Sequence, residues 1–562
     1  MFYFVFLTTL ILFSTSGCQP PTTYDLVIQG GNLVDGTGTP PRKADVAIHD
    51  DIISAVGNLG DFQAIRTIDA EGLVISPGFI DMHSHSDFTL LVDGRAVSKV
   101  TQGITTELLG EATSAAPVEG PLITEQKVEL SNLGLSLDWA SLDQYFQRLE
   151  KSGMSVNIAS TVGSGQIRAC VIGYEDRPAT TKEMLQMQKL VEQAMRDGAV
   201  GLSSGLIYSP NRYASTEELI GLAKVAAKYG GFYLSHIRGE DDRLLIALRE
   251  AIQIGREAKL PVEILHFKRS SFKLGQEPSP SIQEAITLIE DAQKEGLLVH
   301  ANLYPYSASQ TGLGVRIPNW VHEGGREKLL QRLRTPQIRQ QIRQEITDLF
   351  LKKIAGATPE TILFGATPYP PHQPFQGMYI SKIANKMGMD PAETLIELVD
   401  KGEATTRAIY FGIREQDMLH VLSLPWTSIG SDGRAIAPEG PLSNSHPHPR
   451  WYGSFPRILG RYVREQQILT LEEAIRKMTS LPASRLGLTD RGLIETGKKA
   501  DLAIFDPKTI IDLATFENPH QLSQGVEYLV VNGRLVLDQG QHTGNYPGQV
   551  LRNTFKIGEL SK

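Results

Sequence analysis

Two histidines separated by one residue are the feature of this sequence that points most directly to chemistry. His83 and His85 follow an apolar run within residues 77–87, PGFIDMHSHSD. Side chains alternate along an extended strand, so both imidazoles point to the same side of the chain. Neutral imidazole is the commonest protein ligand for transition metals. The pair therefore predicts a two-point metal clamp at a strand end, although the same spacing also occurs on ordinary exposed strands.

Three further candidate ligands close later apolar runs of strand length. His236 and His266 are 30 residues apart, the length of one strand–helix repeat, so they occupy matching positions on neighbouring strands. Asp432 alone would also fit an ordinary turn in Ser-Asp-Gly, but beside four histidines at strand ends it favours a functional role. We predict one metal centre that contains His83, His85, His236, His266 and Asp432.

The middle of the chain, residues 73–486, alternates strand-like and helical segments. Strands that alternate with helices predict a parallel sheet, and eight such units predict a TIM barrel, an α/β fold. The active site of that fold lies at the C-terminal ends of the strands, where the candidate ligands stand. The eight strand candidates are residues 73–75, 103–110, 156–162, 199–204, 232–236, 262–266, 298–303 and 426–432.

Both ends of the chain have a different pattern from the middle. Residues 24–72 and 487–555 consist of short apolar alternations between Gly, Asn and Asp, which is typical of β-structure. We expect the two ends to join in one small composite β-sandwich domain beside the barrel.

The gap between the last two strand candidates is too long for a single crossover connection. Its residues 326–355 are dense in Arg, Gln, Leu and Ile at helical spacing. We therefore predict an inserted helical lid over residues 310–400.

The N-terminus has the pattern of an export signal. An apolar run covers residues 1–13, and small residues then lead to Cys18. The run is too short to span a bilayer comfortably. We predict a lipoprotein-type signal peptide at residues 1–18, with Cys18 as the lipidated N-terminus of a cell-envelope protein. The alternative is a plain cleaved signal with an incidental cysteine.

Composition limits the classes of partner. The 562 residues are 41% hydrophobic and 21% charged, with a formal net charge of −8. A chain of this length is larger than one hydrophobic core usually supports, so at least two domains are expected. No run of Lys or Arg forms a nucleic-acid footprint, which argues against a nucleic-acid partner. Besides Cys18 the chain has only Cys170, so no disulfide framework is expected. A membrane would be reached only through the lipid at Cys18.

Across residues 24–550 the sequence resembles the amidohydrolase superfamily, and within it the D-aminoacylase or N-acyl-D-amino-acid deacylase group. The segments that carry the resemblance are YDLVIQGG (24–31), PGFIDMHSH (77–85), GLIYSP (205–210), SHIR (235–238), ILHFK (264–268), YPY (304–306), GSDG (430–433), HPR (448–450), GSFPR (453–457) and GKKADLAIFD (497–506). The resemblance implies a metal-dependent hydrolase that cleaves the amide of a small N-acylated D-amino acid or short peptide.

The resemblance also implies how the ligands are divided between two metal positions. One position is lined by His83, His85 and Asp432, and the other by His236 and His266. The expected cofactor is zinc, as one or two divalent ions. A metal lowers the pKa of its water to about 7. Asp432 would then take the proton of the attacking water and pass it to the departing amine, as general base and then acid.

A bridging ligand is expected from the second strand, where relatives often supply a cysteine. Here Glu111 falls at that place, immediately past Gly110. Glu107 is the rival, and period-two counting puts both carboxylates on one face. The position at the strand end favours Glu111. A carboxylate in place of a thiolate would weaken the preference for zinc and could admit manganese or cobalt.

Four residues are candidates for holding the substrate. Lys268 shares a strand face with His266, and Arg450 stands in the His-Pro-Arg segment, where a guanidinium can hold a carboxylate in a bidentate manner. Tyr208 and Tyr304 could donate hydroxyl groups. In the same loop, His446 and His448 have metal-like spacing but are interpreted as outer or structural residues.

Two other functions remain open at this point. One is another amidohydrolase, either a cyclic amidase resembling dihydroorotase or an isoaspartyl-type dipeptidase. Several of those use a carboxylated lysine as the bridge, and the second and third strand candidates offer no well-placed lysine. The other is a non-catalytic surface lipoprotein that binds peptides or cell-wall fragments. An intact set of ligands with a proton-transferring aspartate argues against it.

Overall fold

The computed structural model describes residues 23–270, 280–353 and 356–553. The predicted signal peptide at residues 1–18, including Cys18, lies outside these ranges. Within them, no helix combines the length and the apolar composition needed to cross a membrane.

The strands in chain order are β1 (Thr23–Leu33), β2 (Arg42–His49), β3 (Ile52–Gly57), β4 (Gln63–Asp69), β5 (Val74–Pro77), β6 (Phe79–Asp81), β7 (Ile104–Leu109), β8 (Asn157–Ser160), β9 (Val162–Gly163), β10 (Gly201–Gly205), β11 (Phe232–His236), β12 (Val262–Ile264), β13 (Val299–Leu303), β14 (Ala308–Gly312), β15 (Ile362–Ala366), β16 (Arg407–Phe411), β17 (Thr427–Ile429), β18 (Leu502–Phe505), β19 (Val526–Val531), β20 (Arg534–Asp538) and β21 (Gln541–His542).

The α-helices are α1 (Thr89–Val92), α2 (Val97–Val100), α3 (Leu122–Asn132), α4 (Leu142–Ser152), α5 (Ser164–Val171), α6 (Thr181–Asp197), α7 (Thr216–Ala227), α8 (Leu244–Ala258), α9 (Ile282–Lys294), α10 (Gly325–Arg334), α11 (Pro336–Leu351), α12 (Ile380–Met387), α13 (Pro391–Lys401), α14 (Glu415–Ser423), α15 (Arg450–Arg457), α16 (Leu471–Met478) and α17 (Ser480–Arg485). Short 3₁₀ segments lie at Asn211–Tyr213, Leu313–Arg316, Asn319–His322 and Pro370–Phe375, and a π-helical segment at Ile458–Glu465 continues α15.

Both chain ends join in one nine-stranded sheet, as the sequence predicts. The strand order is β21-β20-β19-β18-β5-β1-β2-β3, and β4 pairs with β1. Ile28 and Ile48 from the N-terminal strands share a buried apolar core with Ile504 and Val530 from the C-terminal strands. Neither segment could bury these side chains alone, which explains why the two ends fold together.

The prediction of residues 73–75 as the first barrel strand is wrong. They overlap β5, which pairs with β1 and β18 in the sheet of the chain ends. The barrel begins instead with β6, which runs parallel to β7. Between the two, Gly78 lies so close to the barrel that a Cβ would collide with the Thr105 side chain. The predicted domain boundary after residue 72 therefore moves to this glycine.

Eight parallel strands form the barrel, as predicted. β6, β7 and β8 pair in that order, and β9, β10, β11, β12, β13 and β17 form the other arc. Thr161 divides the third strand into β8 and β9. The ring closes between β17 and β6, where Met82 N donates to Ile429 O at 3.3 Å and Asp432 N donates to His83 O at 2.7 Å. Two candidate ligands therefore lie at the closure.

The inserted segment contains more than the helices expected from its sequence. Helices α10 to α13 accompany a three-stranded antiparallel sheet in the order β14-β16-β15. The segment has an apolar core of its own, which includes Leu329, Phe364 and Leu395. It runs from Ala308 to Phe411, somewhat beyond the predicted 310–400. The sequence of β14, ASQTG, lacks the apolar alternation that marks a strand, so the pattern did not reveal this strand.

Candidate metal centre

Six side chains from five barrel strands meet at the C-terminal end of the barrel. His236 is the last residue of β11, and the other five lie two to four residues past the ends of β6, β7, β12 and β17. Parallel strands that share a register bring their ends to one rim. The residues that meet there are His83, His85, Glu111, His236, His266 and Asp432.

The Glu111 carboxylate connects two pairs of histidines. Its Oε2 lies 2.7 Å from His83 Nε2 and 3.1 Å from His85 Nε2. Its Oε1 lies 2.9 Å from His236 Nδ1, which is itself 2.9 Å from His266 Nε2. One carboxylate thus faces both halves of the cluster, with a different oxygen toward each.

Asp432 borders both halves. Its Oδ1 lies 3.2 Å from His85 Nε2 and 3.9 Å from His83 Nε2. With His83 and His266 it also forms a group whose ligand atoms lie within 4.8 Å of one another. The set of imidazole nitrogens and carboxylate oxygens matches the ligands that zinc takes in proteins. These residues therefore fit one or two divalent ions.

The structure separates Glu111 from Glu107. Strand β7 ends at Leu109, and Gly110 has a φ of +90°, a left-handed conformation that glycine adopts without strain. A Cβ at this glycine would also collide with the Thr161 carbonyl. The turn aims Glu111 at the histidines, whereas Glu107 stays buried beneath them. Period-two counting failed because it assumed that the strand continues past Gly110.

Glu107 belongs to a buried charge network under the metal centre. Lys99 Nζ lies 2.9 Å from Asp81 Oδ2 and 3.3 Å from Glu107 Oε2, and all three side chains are fully buried. The other Asp81 oxygen accepts from His83 N at 3.1 Å and from Ser431 N at 2.7 Å. The network therefore fixes the backbone beside two candidate ligands, His83 and Asp432.

Sequence reasoning missed this network, although a signal was present. Lys99 lies between a serine and a valine in the wholly buried turn VSKV of α2, and Asp81 ends an apolar strand. Charged residues are almost never fully buried unless they are paired. A lysine and an aspartate in two segments that are both predicted to be buried can therefore be expected to pair with each other.

We expect Lys99→Met to lower the free energy of unfolding by about 3–5 kcal/mol, because it leaves buried carboxylates without their cation. Chemical unfolding of the metal-loaded protein measures the change. Lys294→Met is the matched control, since Lys294 is 73% exposed and pairs with Asp291 on the surface of α9. Its effect should stay within about 0.5 kcal/mol. Equal unfolding midpoints for the two variants would contradict a structural role for the network.

Burial and neighbouring charges together set the protonation states of Asp432 and His266. Burial raises the pKa of Asp432, but Arg450 and His83 outweigh it and hold that pKa well below its usual range. Arg450 Nη2 lies 2.8 Å from Asp432 Oδ1. Burial, together with Lys268, lowers the pKa of His266 to about 4. Asp432 is therefore a carboxylate and His266 a neutral imidazole at neutral pH, the forms that bind metals.

The four predicted substrate-binding residues differ in their availability. Tyr208 OH lies 3.0 Å from Thr311 Oγ1 in the inserted segment. Tyr304 OH and Arg450 Nη1 are both buried, and neither has a hydrogen-bond partner in the described ranges. The Arg450 guanidinium lies 4.4 Å from the centre of the Tyr304 ring. Tyr304 OH and Arg450 Nη1 are therefore neighbouring donors that could bind an acceptor on the substrate.

Lys268 is not the free cation that the sequence suggested. Its Nζ lies 2.6 Å from Glu240 Oε1 and 2.9 Å from His266 Nδ1. Glu240 also lies 3.0 Å from that His266 nitrogen. The Lys268–Glu240 pair therefore orients the ring of His266. The sequence did not point to Glu240, because no pattern in its own segment indicates a contact with His266 and Lys268, which follow β12.

His446 and His448 contact the backbone, in agreement with their interpretation as structural residues. His448 Nε2 lies 2.9 Å from Ala308 O, and its Nδ1 accepts a hydrogen bond from Arg450 N at 3.0 Å. His446 Nε2 lies 2.6 Å from Phe516 O. His448 therefore helps to place Arg450.

Comparison with known proteins identifies relatives over nearly the whole chain. Residues 66–537 match the family model described as the amidohydrolase family. D-aminoacylase from Alcaligenes xylosoxydans xylosoxydans is 35% identical over 542 residues, which cover 96% of this chain and 99% of that protein. N-acyl-D-glutamate deacylase from the same organism is 34% identical over 95% of this chain and 97% of its own length.

A solved structure gives the same result. N-acyl-D-glutamate deacylase from Bordetella bronchiseptica, complexed with zinc and a phosphonate inhibitor that mimics the tetrahedral intermediate, superposes with a TM-score of 0.79. It is 33% identical, and the match covers 94% of this chain and all of that one. Sequence and fold agree on the same group of proteins.

Proposed function

Because this chain belongs to the amidohydrolase family, and within it to the D-aminoacylase group, we propose that it is a metal-dependent hydrolase of N-acyl-D-amino acids. The products are a D-amino acid and a carboxylate. The observation that carries the proposal is the Glu111 carboxylate between two histidine pairs, with Asp432 beside both. A protein that only bound its ligand would have no use for this arrangement.

We assign the metal ligands as His83, His85, Glu111, His236, His266 and Asp432. A bound zinc ion supplies a Lewis acid for the amide carbonyl and lowers the pKa of water to about 7. Glu111 holds the two halves of the ligand set together. Its carboxylate would also accept manganese or cobalt.

Asp432 is assigned as the proton-transfer residue. Its Oδ1 is held by Arg450 and His85, while Oδ2 has no hydrogen-bond partner in the part of the chain that the structure describes. We propose that Oδ2 accepts a proton from the attacking water and returns it to the nitrogen of the departing amine. The low pKa of Asp432 keeps it in the carboxylate form that the first transfer needs.

The substrate α-carboxylate is proposed to bind at Arg450 Nη1 and Tyr304 OH, which are buried and without partners among the described residues. Tyr208, whose ring lies 5.1 Å from that of His236, is proposed to contact the amide. Lys268 contributes a positive charge near the same place, although Glu240 already binds it. A buried donor without a partner costs free energy, so a substrate that supplies the missing acceptor binds more tightly.

A screen of N-acetyl-D- and N-acetyl-L-amino acids tests the function, with metal analysis of the same preparation. We expect release of free amine from D substrates, and release from L enantiomers that is slower by about tenfold or more. Chelation should abolish the release, and zinc should restore it. Fully metal-loaded protein that cleaves no N-acyl-D-amino acid would overturn the proposal.

We also propose that residues 1–18 export the chain and that Cys18 carries a lipid that anchors it to the cell envelope. The apolar run followed by small residues before Cys18 supports this. Mass spectrometry of the mature protein should find a lipid-modified Cys18 at the N-terminus, and Cys18→Ser should leave the chain unprocessed. A mature N-terminus at another residue would dispose of the anchor.

A further inference from the structure

A cavity of about 220 Å³ lies between the inserted segment and the loop that follows β17. Arg407 of β16 lines it from the insertion, and Arg434 lines it from the loop. Ile436 and Trp451 form part of an apolar wall. The cavity therefore offers two cations and an apolar surface to a molecule that enters it.

Neither arginine pairs with an anion among the residues that the structure describes. Across the described ranges, neither the Arg407 nor the Arg434 side chain forms a hydrogen bond or an ion pair within 4.0 Å. Arg434 Nε is buried without a partner. Repulsion by Arg434 is the main cause that lowers the pKa of Arg407 to about 9. Both arginines are half-buried, and a charge that is partly removed from water costs free energy unless it is paired, so the two are suited to an anion that a ligand brings.

The acidic groups around the pair act only from a distance. Asp87 and Glu129 line a smaller adjoining cavity and favour the charged form of Arg434. Glu129 and Asp432 do the same for Arg407. None of them is within ion-pair distance of either guanidinium in the described part of the chain. They therefore keep the arginines protonated and leave their donors available.

The smaller cavity connects the arginines to the metal centre. It has a volume of about 70 Å³, is lined by His85, and shares Thr89 and Arg434 with the larger cavity. His85 contacts both Glu111 and Asp432. A substrate whose amide lies at the metal centre can therefore extend past His85 toward Arg434.

We propose that Arg407 and Arg434 bind a second carboxylate of the substrate, so that this enzyme prefers dianionic N-acyl-D-amino acids. The inference rests on the proposed hydrolase function. A guanidinium matches a carboxylate in a bidentate manner, and Arg407 and Arg434 line the same cavity. The second carboxylate belongs either to the amino-acid side chain, as in an acidic D-amino acid, or to the acyl group, as in a succinyl chain. In both cases, methylene groups lie along Ile436 and Trp451.

Two pairs of near-isosteric substrates test the preference. N-acetyl-D-glutamate is compared with N-acetyl-D-glutamine, and N-succinyl-D-alanine with N-butanoyl-D-alanine. We expect kcat/KM to favour the dianion in one pair by about tenfold to a hundredfold. The pair that shows the preference identifies the source of the carboxylate.

Substitution of the arginines then assigns the preference to the cavity. Arg407→Gln and Arg434→Gln should each reduce the dianion-to-neutral ratio of kcat/KM about tenfold or more. Arg407→Lys should restore only part of it, because an ammonium lacks the bidentate geometry. Arg343→Gln is the matched control in the same insertion, since Arg343 is 52% exposed on α11, and it should leave the ratio unchanged.

The two proposals fail in different ways. Cleavage of dianionic and neutral partners with equal kcat/KM overturns the anion site and leaves the hydrolase function intact. An equal loss on both partners in Arg407→Gln and Arg434→Gln does the same. If no substrate is cleaved, the hydrolase function fails, and calorimetric binding of N-acetyl-D-glutamate and N-succinyl-D-alanine decides the anion site. Binding that weakens in both variants supports it, and equal or absent binding overturns it.

Discussion

Asp432→Asn is expected to lower kcat by about a hundredfold or more while the bound metal stays at its normal level. The amide has the size of the carboxylate and keeps an oxygen for Arg450 and His85, which contact Oδ1 in the native protein. It cannot accept the proton of the attacking water at neutral pH. The loss should therefore appear in kcat more than in KM, because substrate binding does not require the transfer.

The measurement is steady-state kinetics beside metal analysis of the same sample. Asp400→Asn is the matched control, since Asp400 is also buried and paired with an arginine, Arg334 Nε at 2.6 Å, in the insertion. That variant should keep its kcat. Retained activity in Asp432→Asn would remove Asp432 from the proton transfer, and loss of metal in it would reassign the residue as a ligand alone.

The barrel could be predicted because its strands are apolar and separated by recognisable helices. Polar residues at the ends of such strands stand out, which is why His236, His266 and Asp432 were found from spacing alone. The rim of a parallel barrel then brings them together whatever the sequence between them contains. The strand ends were therefore the reliable part of the prediction.

The errors arose where pairing partners decide the structure. Residues 73–75 are as apolar as a barrel strand, and only their hydrogen bonds to β1 and β18 assign them to the other sheet. The pairing of Lys268 with Glu240 likewise depends on the conformation of the loop that carries Glu240, which sequence patterns do not predict. Partners distant in sequence leave no periodic signal, so such contacts need coordinates.

Glu111 lies between these two cases. Its position at the strand end, after Gly110, was predicted correctly. The prediction that it shares a face with Glu107 was wrong, because the turn at that glycine interrupts the alternation of side chains. The same turn leaves Glu107 to the Lys99 network. Two carboxylates four residues apart thus have separate tasks, one at the metal centre and one beneath it.

Glu111→Ala is expected to lose at least one equivalent of divalent metal per chain and to lower kcat/KM by about a hundredfold or more. The residue is the only one of the six whose two oxygens face different histidine pairs in the described structure, so its removal leaves each pair without a shared anion. Metal analysis after dialysis, with kinetics in added zinc, measures both effects.

Glu218→Ala is the matched control, because Glu218 is equally buried but pairs with Arg168 away from the rim, and this variant should keep its metal. Full metal occupancy in Glu111→Ala would show that the histidines and Asp432 suffice, and the bridging role would then be wrong.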